Sequence, residues 1–302
     1  MRIVSLLPSA TEIVYALGLE PVAVSHECDY PPEASEKPAV NATRIDPTAS
    51  SADIDAQVLD AEREGEGVYD IDLDVLAAAD PDLIVTQGLC DVCAVDEVVV
   101  EEAVEELDLD CRILTTDPHS LADVFDDIRR VGRATGREGH ADQLVSELRA
   151  GVDAVRDVTA GVEERPEVAV LDWLDPVMTA GHWVPELVEY AGGDPLFAGD
   201  ASVPREWAAI READPDVLVA APCGFDLDQT AANLGGLTDR PGWDDLTAVR
   251  EGRAYALDGH HYLNRPGPRL VDTLEYLAAL IHPDLFEAPP GDVARPLARV
   301  TA

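Results

Sequence analysis

Ala79-Asp80-Pro81-Asp82-Leu83-Ile84-Val85 recurs as Ala213-Asp214-Pro215-Asp216-Val217-Leu218-Val219. Each copy closes a helix with Asp-Pro-Asp and opens an apolar strand, because proline cannot continue a helix and the β-branched run suits a sheet. An upstream echo precedes each copy. Glu12-Ile13-Val14 runs through Gly18-Leu19-Glu20-Pro21-Val22, and Glu186-Leu187-Val188 runs through Gly192-Gly193-Asp194-Pro195-Leu196. The offset is 174 residues from Glu12 to Glu186 but 134 from Ala79 to Ala213, so the first half holds about 40 additional residues, roughly Pro31 to Asp70. Two lobes of one design on one chain predict a ligand cleft between them.

A chain of 302 residues with 46% hydrophobic content is long enough for two cores. Its formal charge of −40 is extreme, and Lys37 is the single lysine. The acids are spread over every helix rather than gathered in a tail. That distribution favours adaptation to multimolar salt over a surface that steers a charged ligand. Nucleic acid is excluded as a partner because no basic stripe exists to neutralise phosphates. The N-terminus opens directly on Arg2-Ile3-Val4-Ser5-Leu6-Leu7, with no export signal and no cysteine to carry lipid. No apolar run approaches the ~20 residues of a membrane helix. Read literally, the chain is cytoplasmic; a leader missing from this chain makes it extracytoplasmic.

Strand 3–6 leads into Ser9-Ala10-Thr11-Glu12, which fits a capping box, and a helix to Gly18. Further strands are expected at 22–25, 83–86, 112–115, 168–172, 217–220 and 254–258. Helices are expected at 73–80, from Pro185, and at 269–281. Ala141, Leu144, Val145, Leu148, Val152 and Val155 trace one face of a strut over 138–158. The fold class is therefore α/β, with two similar lobes of mainly parallel sheet joined by a long rigid helix. The predicted domains are residues 1–118, connecting helices 119–160, and residues 161–302.

Ligands of open α/β sheets sit beyond the carboxyl ends of the strands. Those ends collect Pro8-Ser9-Ala10-Thr11, His26-Glu27-Cys28, Cys90-Asp91-Val92-Cys93, Trp173-Leu174-Asp175, Gly181-His182-Trp183, Pro222-Cys223-Gly224-Phe225 and His260-His261-Tyr262. Cys28, Cys90, Cys93 and Cys223 have the chemistry of soft-metal or iron–sulfur ligands, and equally of small buried side chains in tight loops. Trp173, Trp183, Phe225 and Tyr262 could line a wall for a large planar ligand, or be ordinary core aromatics. His260 and His261, if extended, point to opposite sides, so at most one faces the cleft. Ser9 and Thr11 at a helix start could hold a polar ligand edge. No P-loop, nucleophile elbow or His-Glu-x-x-His motif is present, so turnover chemistry has little support.

Ser5-Leu6-Leu7-Pro8-Ser9-Ala10-Thr11-Glu12, the Asp-Pro-Asp strand at 79–85, Gly181-His182-Trp183-Val184-Pro185-Glu186 and Asn264-Arg265-Pro266-Gly267-Pro268-Arg269 together resemble the cobalamin-binding proteins of ABC importers. The wider group also binds iron–siderophore complexes and haem. The resemblance covers residues 3 to about 283. It implies a solute-binding protein, not an enzyme, monomeric, with a corrinoid as ligand and no required cofactor. It also implies an ABC permease and ATPase as partners. The candidate ligand contacts, taken from the strand-end loops, are Pro8, Ser9, Ala10, Thr11, His26, Cys28, Trp173, His182, Trp183, Phe225, His261 and Tyr262. Family members present one acidic residue per lobe to the permease. Asp74 holds that place in the first lobe, but Ala208 stands there in the second, where Glu206 or Glu212 could substitute. A reading of another class makes the chain an intracellular metal- or cluster-binding protein using Cys28, Cys90, Cys93 and Cys223.

Overall fold

The computed structural model describes residues 1–64, 67–89, 95 and 97–297. Two compact units emerge. The first comprises Met1–Pro47, Ala56–Pro118 and Ala122–Glu147, and the second Thr48–Asp55, His119–Leu121 and Leu148–Ala302.

Up to residue 159 the elements are β1 (Ile3–Ser5), α1 (Pro8–Ala16), β2 (Ala23–Val24), β3 (Asn41–Thr43), α2 (Ser51–Glu64), β4 (Tyr69–Ile71), α3 (Leu73–Ala79), β5 (Leu83–Gln87), α4 (Glu97–Glu106), β6 (Arg112–Thr116), α5 (Leu121–Thr135) and α6 (Glu138–Thr159). The first unit is built on a four-stranded parallel sheet in the order β2-β1-β5-β6. Every residue of β1 and β5 is buried, as a parallel sheet covered on both faces requires. Val4, Leu6, Ala23, Leu76, Ile84 and Val100 form its core. The additional segment of the first half contributes the antiparallel β3-β4 pair and α2. Within it the amine of Lys37 bonds the carboxylate of Glu20, and that bond holds the lysine pKa above its ordinary value.

The second unit continues with β7 (Glu167–Leu174), β8 (Val177–Thr179), α7 (Val184–Tyr190), β9 (Asp194–Pro195), β10 (Val203–Pro204), α8 (Trp207–Ala213), β11 (Val217–Ala220), α9 (Leu227–Asn233), α10 (Gly235–Thr238), α11 (Thr247–Arg250), β12 (Ala254–Leu257), a π turn (Gly259–Leu263), α12 (Leu270–Ile281) and β13 (Ala294–Pro296). Its sheet runs β10-β8-β7-β11-β12-β13, with β9 also on β7. The centre, β7-β11-β12, is parallel, whereas β8, β10 and β13 join antiparallel.

The sequence repeat is a repeat of hydrogen bonds. Gly18 and Gly192 both take positive φ after their helices. Leu19 N–H then reaches back to the Val14 carbonyl and Gly193 N–H to that of Val188, the six-to-one bond that closes a helix end. Val22 N–H goes on to the Ile3 carbonyl and Leu196 N–H to that of Val168, both at 2.8 Å. In the second echo, Asp82 N–H bonds the Arg2 carbonyl at 2.8 Å while its carboxylate accepts the Arg2 N–H at 2.6 Å. Asp216 does the same to Glu167, at 2.9 Å for both bonds. The second aspartate of each Asp-Pro-Asp thus clamps the start of the neighbouring first strand, and the proline ends the helix so that it can.

The α6 face read from sequence is the buried one: Ala141, Val145, Val152 and Val155 are buried, and Leu144 and Leu148 half-buried. Its 22 residues span about 33 Å. The capping box at Ser9 does not form. Pro8 starts α1, Leu7 is its N-cap with no side-chain bond, and Ser9 and Glu12 are buried inside the helix. A proline at the first helical position, preset in φ, displaces the start by two residues.

Candidate functional site

In the first unit the carboxyl ends of β1 and β2 are tied together through small polar side chains. Ser5 Oγ lies 2.5 Å from Thr11 Oγ1, which lies 3.0 Å from Cys28 Sγ. All three residues are buried, and Cys28 packs with Val24 and Ala34. The hydroxyl of Thr11 is therefore engaged within the unit, while Pro8 is the half-buried member of Pro8-Ser9-Ala10-Thr11. Asn41 Oδ1 accepts the His26 N–H at 3.0 Å and faces its Nδ1 at 3.3 Å, and the imidazole leans on Tyr69 at 5.7 Å. Cys90 and Cys93 lie outside the described residues.

In the second unit the ends of β7, β11 and β12 converge. Cys223 N–H bonds the Asp172 carbonyl, and Gly259 and His260 both donate to the Phe225 carbonyl. A Cβ on Gly259 would stand 2.1 Å from the Pro222 carbonyl oxygen, so only glycine permits this approach. Trp173 meets Phe225 with ring centroids 5.1 Å apart and gives its indole N–H to the Ser51 carbonyl. Trp183 and Tyr262 do not join that pair. The indole of Trp183 is buried and donates to the Leu263 carbonyl at 2.9 Å. Tyr262 packs edge-on against Tyr276 with the Arg269 guanidinium above it. Burial raises the pKa of both phenols, that of Tyr276 to about 12.

His260 and His261 are not on an extended segment. They sit in the π turn, where Leu263 and Asn264 bond carbonyls five residues back, and their rings meet edge-on at 4.5 Å. Asp258 begins the turn. Its carboxylate takes the His261 N–H and the His261 Nδ1, each at 2.7 Å. Nδ1 is thereby the donor to the carboxylate, which fixes the orientation of the ring. His260 Nε2 lies 3.0 Å from the buried Arg265 guanidinium, which has only donors, so here the lone pair is spent on Arg265. With Nε2 as the acceptor, His260 carries its proton on Nδ1, the same nitrogen that donates in His261.

Asp172, at the end of β7, is a buried carboxyl that the sequence did not single out. Ser202 donates its hydroxyl to Oδ2, while Oδ1 has no hydrogen-bond partner among the described residues. Burial raises its pKa, and the Ser202 bond acts in the opposite sense. Asp258 and Arg265 were likewise missed, although Asp258-x-x-His261 is a legible cap spacing. His182 holds φ at +54° and places its Nδ1 3.4 Å from that of His119.

Asp74 is exposed in the first turn of α3; Ala208 holds the matching place in α8, also exposed, with Glu206 at its N-cap and Glu212 in its last turn.

Known proteins share this design. The pattern of the periplasmic binding protein family matches residues 3–260. The chain is 26% identical over 296 residues to the ABC transporter substrate-binding lipoprotein YvrC of Bacillus subtilis, covering 95% of this chain and 81% of that protein. It is 26% identical over 292 residues to the vitamin B12-binding protein of Vibrio cholerae, covering 93% and 88%. The solved haem-binding protein RhuT of Roseiflexus superposes with a TM-score of 0.70 at 25% identity, covering 93% and 98%. The Vibrio cholerae vitamin B12-binding protein BtuF superposes at 0.67 with 23% identity, covering 93% and 96%, a likeness of fold. With its duplicated α/β unit, its long helix and a family match over most of its length, the chain belongs to the periplasmic binding proteins, the solute-binding components of ABC importers.

Proposed function

We propose that this protein captures a corrinoid for an ABC permease and its ATPase. The carrying observation is the Asp258–His261 pair. A buried carboxylate that holds Nδ1–H orients the ring, the arrangement that stands behind a metal-ligating imidazole. His261 supplies the axial nitrogen to cobalt in this reading, and the Trp173–Phe225 pair supplies an apolar face. The relatives named for vitamin B12 support the choice of chelate. The protein binds and releases without chemistry, and it works outside the cytoplasmic membrane, as the lipoprotein relative's name suggests. Among the described residues no helix is long and apolar enough to cross a membrane. Asp74 is the proposed docking residue of the first unit, with Glu206 or Glu212 serving the second.

Haem is the second reading, since the same imidazole ligates iron and RhuT is a haem-binding protein. Titration of reduced protein in molar salt with aquocobalamin, and separately with haemin, distinguishes the two. Saturable one-to-one binding of aquocobalamin with a shifted cobalt spectrum, abolished in His261→Ala, is the expected result. Binding of haemin alone selects the second reading, and binding of neither by folded protein overturns both.

A further inference from the structure

The loop before α5 and the loop before α7 bring His119 and His182 together. Their ring centroids are 5.4 Å apart, and the two Nδ1 atoms 3.4 Å apart. Both loops are held from behind. Glu186 of α7 takes the Leu121 N–H at 2.8 Å on one carboxylate oxygen and the Tyr190 hydroxyl at 2.7 Å on the other. His182 pays a strained left-handed backbone, φ +54°, to sit there, although any exposed residue could have filled a turn. Two nitrogens bound to one tetrahedral Zn²⁺, each at about 2.0–2.1 Å, stand roughly 3.3–3.4 Å apart. The pair already has that separation.

We infer that His119 and His182 form a site for a divalent late first-row metal ion, each imidazole binding through Nδ1, with water or a small anion completing the coordination. Imidazole suits Zn²⁺, Cu²⁺ and Ni²⁺, and binding of Cu²⁺ is expected to be the tightest. A formal charge of −40 raises the concentration of cations around the molecule and favours filling. The site is independent of the corrinoid reading, because neither Asp258 nor His261 contributes to it.

Trp183 reports on the site, since its ring lies 5.8 Å from that of His182. The test is titration of the full chain with Cu²⁺ and with Zn²⁺ in 2 M KCl, which suppresses weak binding to surface carboxylates. Tryptophan quenching follows Cu²⁺, and calorimetry follows Zn²⁺. One saturable equivalent is expected, weakened at least about ten-fold in His119→Ala and in His182→Gly. His182→Gly keeps the fold because glycine accepts the positive φ, and circular dichroism checks both variants. Trp183→Phe should lose the part of the quenching that follows this site while the calorimetric affinity for Zn²⁺ stays. Equal affinity in wild type and both histidine variants places the ion elsewhere and overturns the proposal. Absence of saturable binding to folded protein, leaving the histidines as a hydrogen-bonded pair only, overturns it as well.

Discussion

Asp80 and Asp214 share one left-handed backbone, with φ, ψ of 43°, 62° and 44°, 64°, yet only Asp214 employs its carboxylate there. Asp214 accepts the Thr247 N–H at 2.7 Å and the Thr247 hydroxyl at 2.8 Å, and those bonds, the backbone one foremost, lower its pKa. No side-chain bond is made by Asp80 among the described residues. The repeat has kept the backbone and let the side-chain role diverge.

Glycine fits this conformation without strain, so Asp80→Gly should leave stability unchanged or raise it by up to about 0.5 kcal/mol. Asp214→Gly should lower it by about 1 kcal/mol through the lost bonds to Thr247. A depressed carboxylate stabilises above its unfolded pKa, near 4, and that contribution fades as pH falls. Urea unfolding at pH 7 should separate the two variants, and at pH 3 the gap should narrow.

Asp127 makes the opposite prediction. It is buried on α5, and burial raises its pKa to about 6 against the bond from Arg130 at 2.6 Å. Between about pH 7 and pH 4 the folded state therefore holds a proton that the unfolded state lacks, and stability from this group rises as pH falls. Asp127→Asn keeps an acceptor for Arg130 and removes the titration. The stability of wild type relative to Asp127→Asn should climb as pH is lowered from 7 to 5; a flat difference would refute the assignment.

Ser202 makes the hydroxyl bond to the buried carboxyl of Asp172. Ser202→Ala removes a donor to the ionised form, which pushes that carboxyl further up. The variant should lose about 1–3 kcal/mol at pH 8 and less at pH 5, because the lost donor favours the ionised form. Paired denaturation curves at the two pH values check this.

Asp258→Asn should weaken chelate binding about 10- to 100-fold while leaving secondary structure intact, because the amide no longer fixes the His261 tautomer. Spectroscopic titration beside His261→Ala measures it. Equal affinity in Asp258→Asn and wild type would remove the carboxylate from the site.

Salt should stabilise the chain. Raising KCl from 0.1 M to 3 M shortens the screening length to a few ångströms or less and relieves the repulsion among 61 acidic side chains. A Tm that rises steadily over this range is the expected result, and a falling one would contradict the reading of the charge as salt adaptation.

The legibility of the fold varied with how locally each element is determined. Val217–Ala220 was read at its own bounds because four apolar residues follow a proline turn. The helix at 138–158 was read because its stripe, from Ala141 to Val155, repeats over about four turns. The β3-β4 pair escaped, since three-residue strands joined across α2 have no local signal. Tandem histidines suggested alternation about a strand, whereas the π turn depends on Gly259 reaching Pro222, a tertiary contact. The meeting of His119 and His182 spans 63 residues and left no trace in spacing. Sequence could nominate residues at strand ends, but it could not say which were spent on packing, as Thr11 and Trp183 are.

Lys37, held by Glu20, is the sole side-chain amine of the molecule. An acylating dye that goes to side-chain amines therefore has one address, beside the segment that carries Cys28. Because the salt bridge keeps that amine protonated, coupling should be slow near neutrality and accelerate in Glu20→Gln. The rate of dye uptake at Lys37 thus becomes a chemical clock for the integrity of one short stretch of chain, readable from the mass of the peptide that carries it.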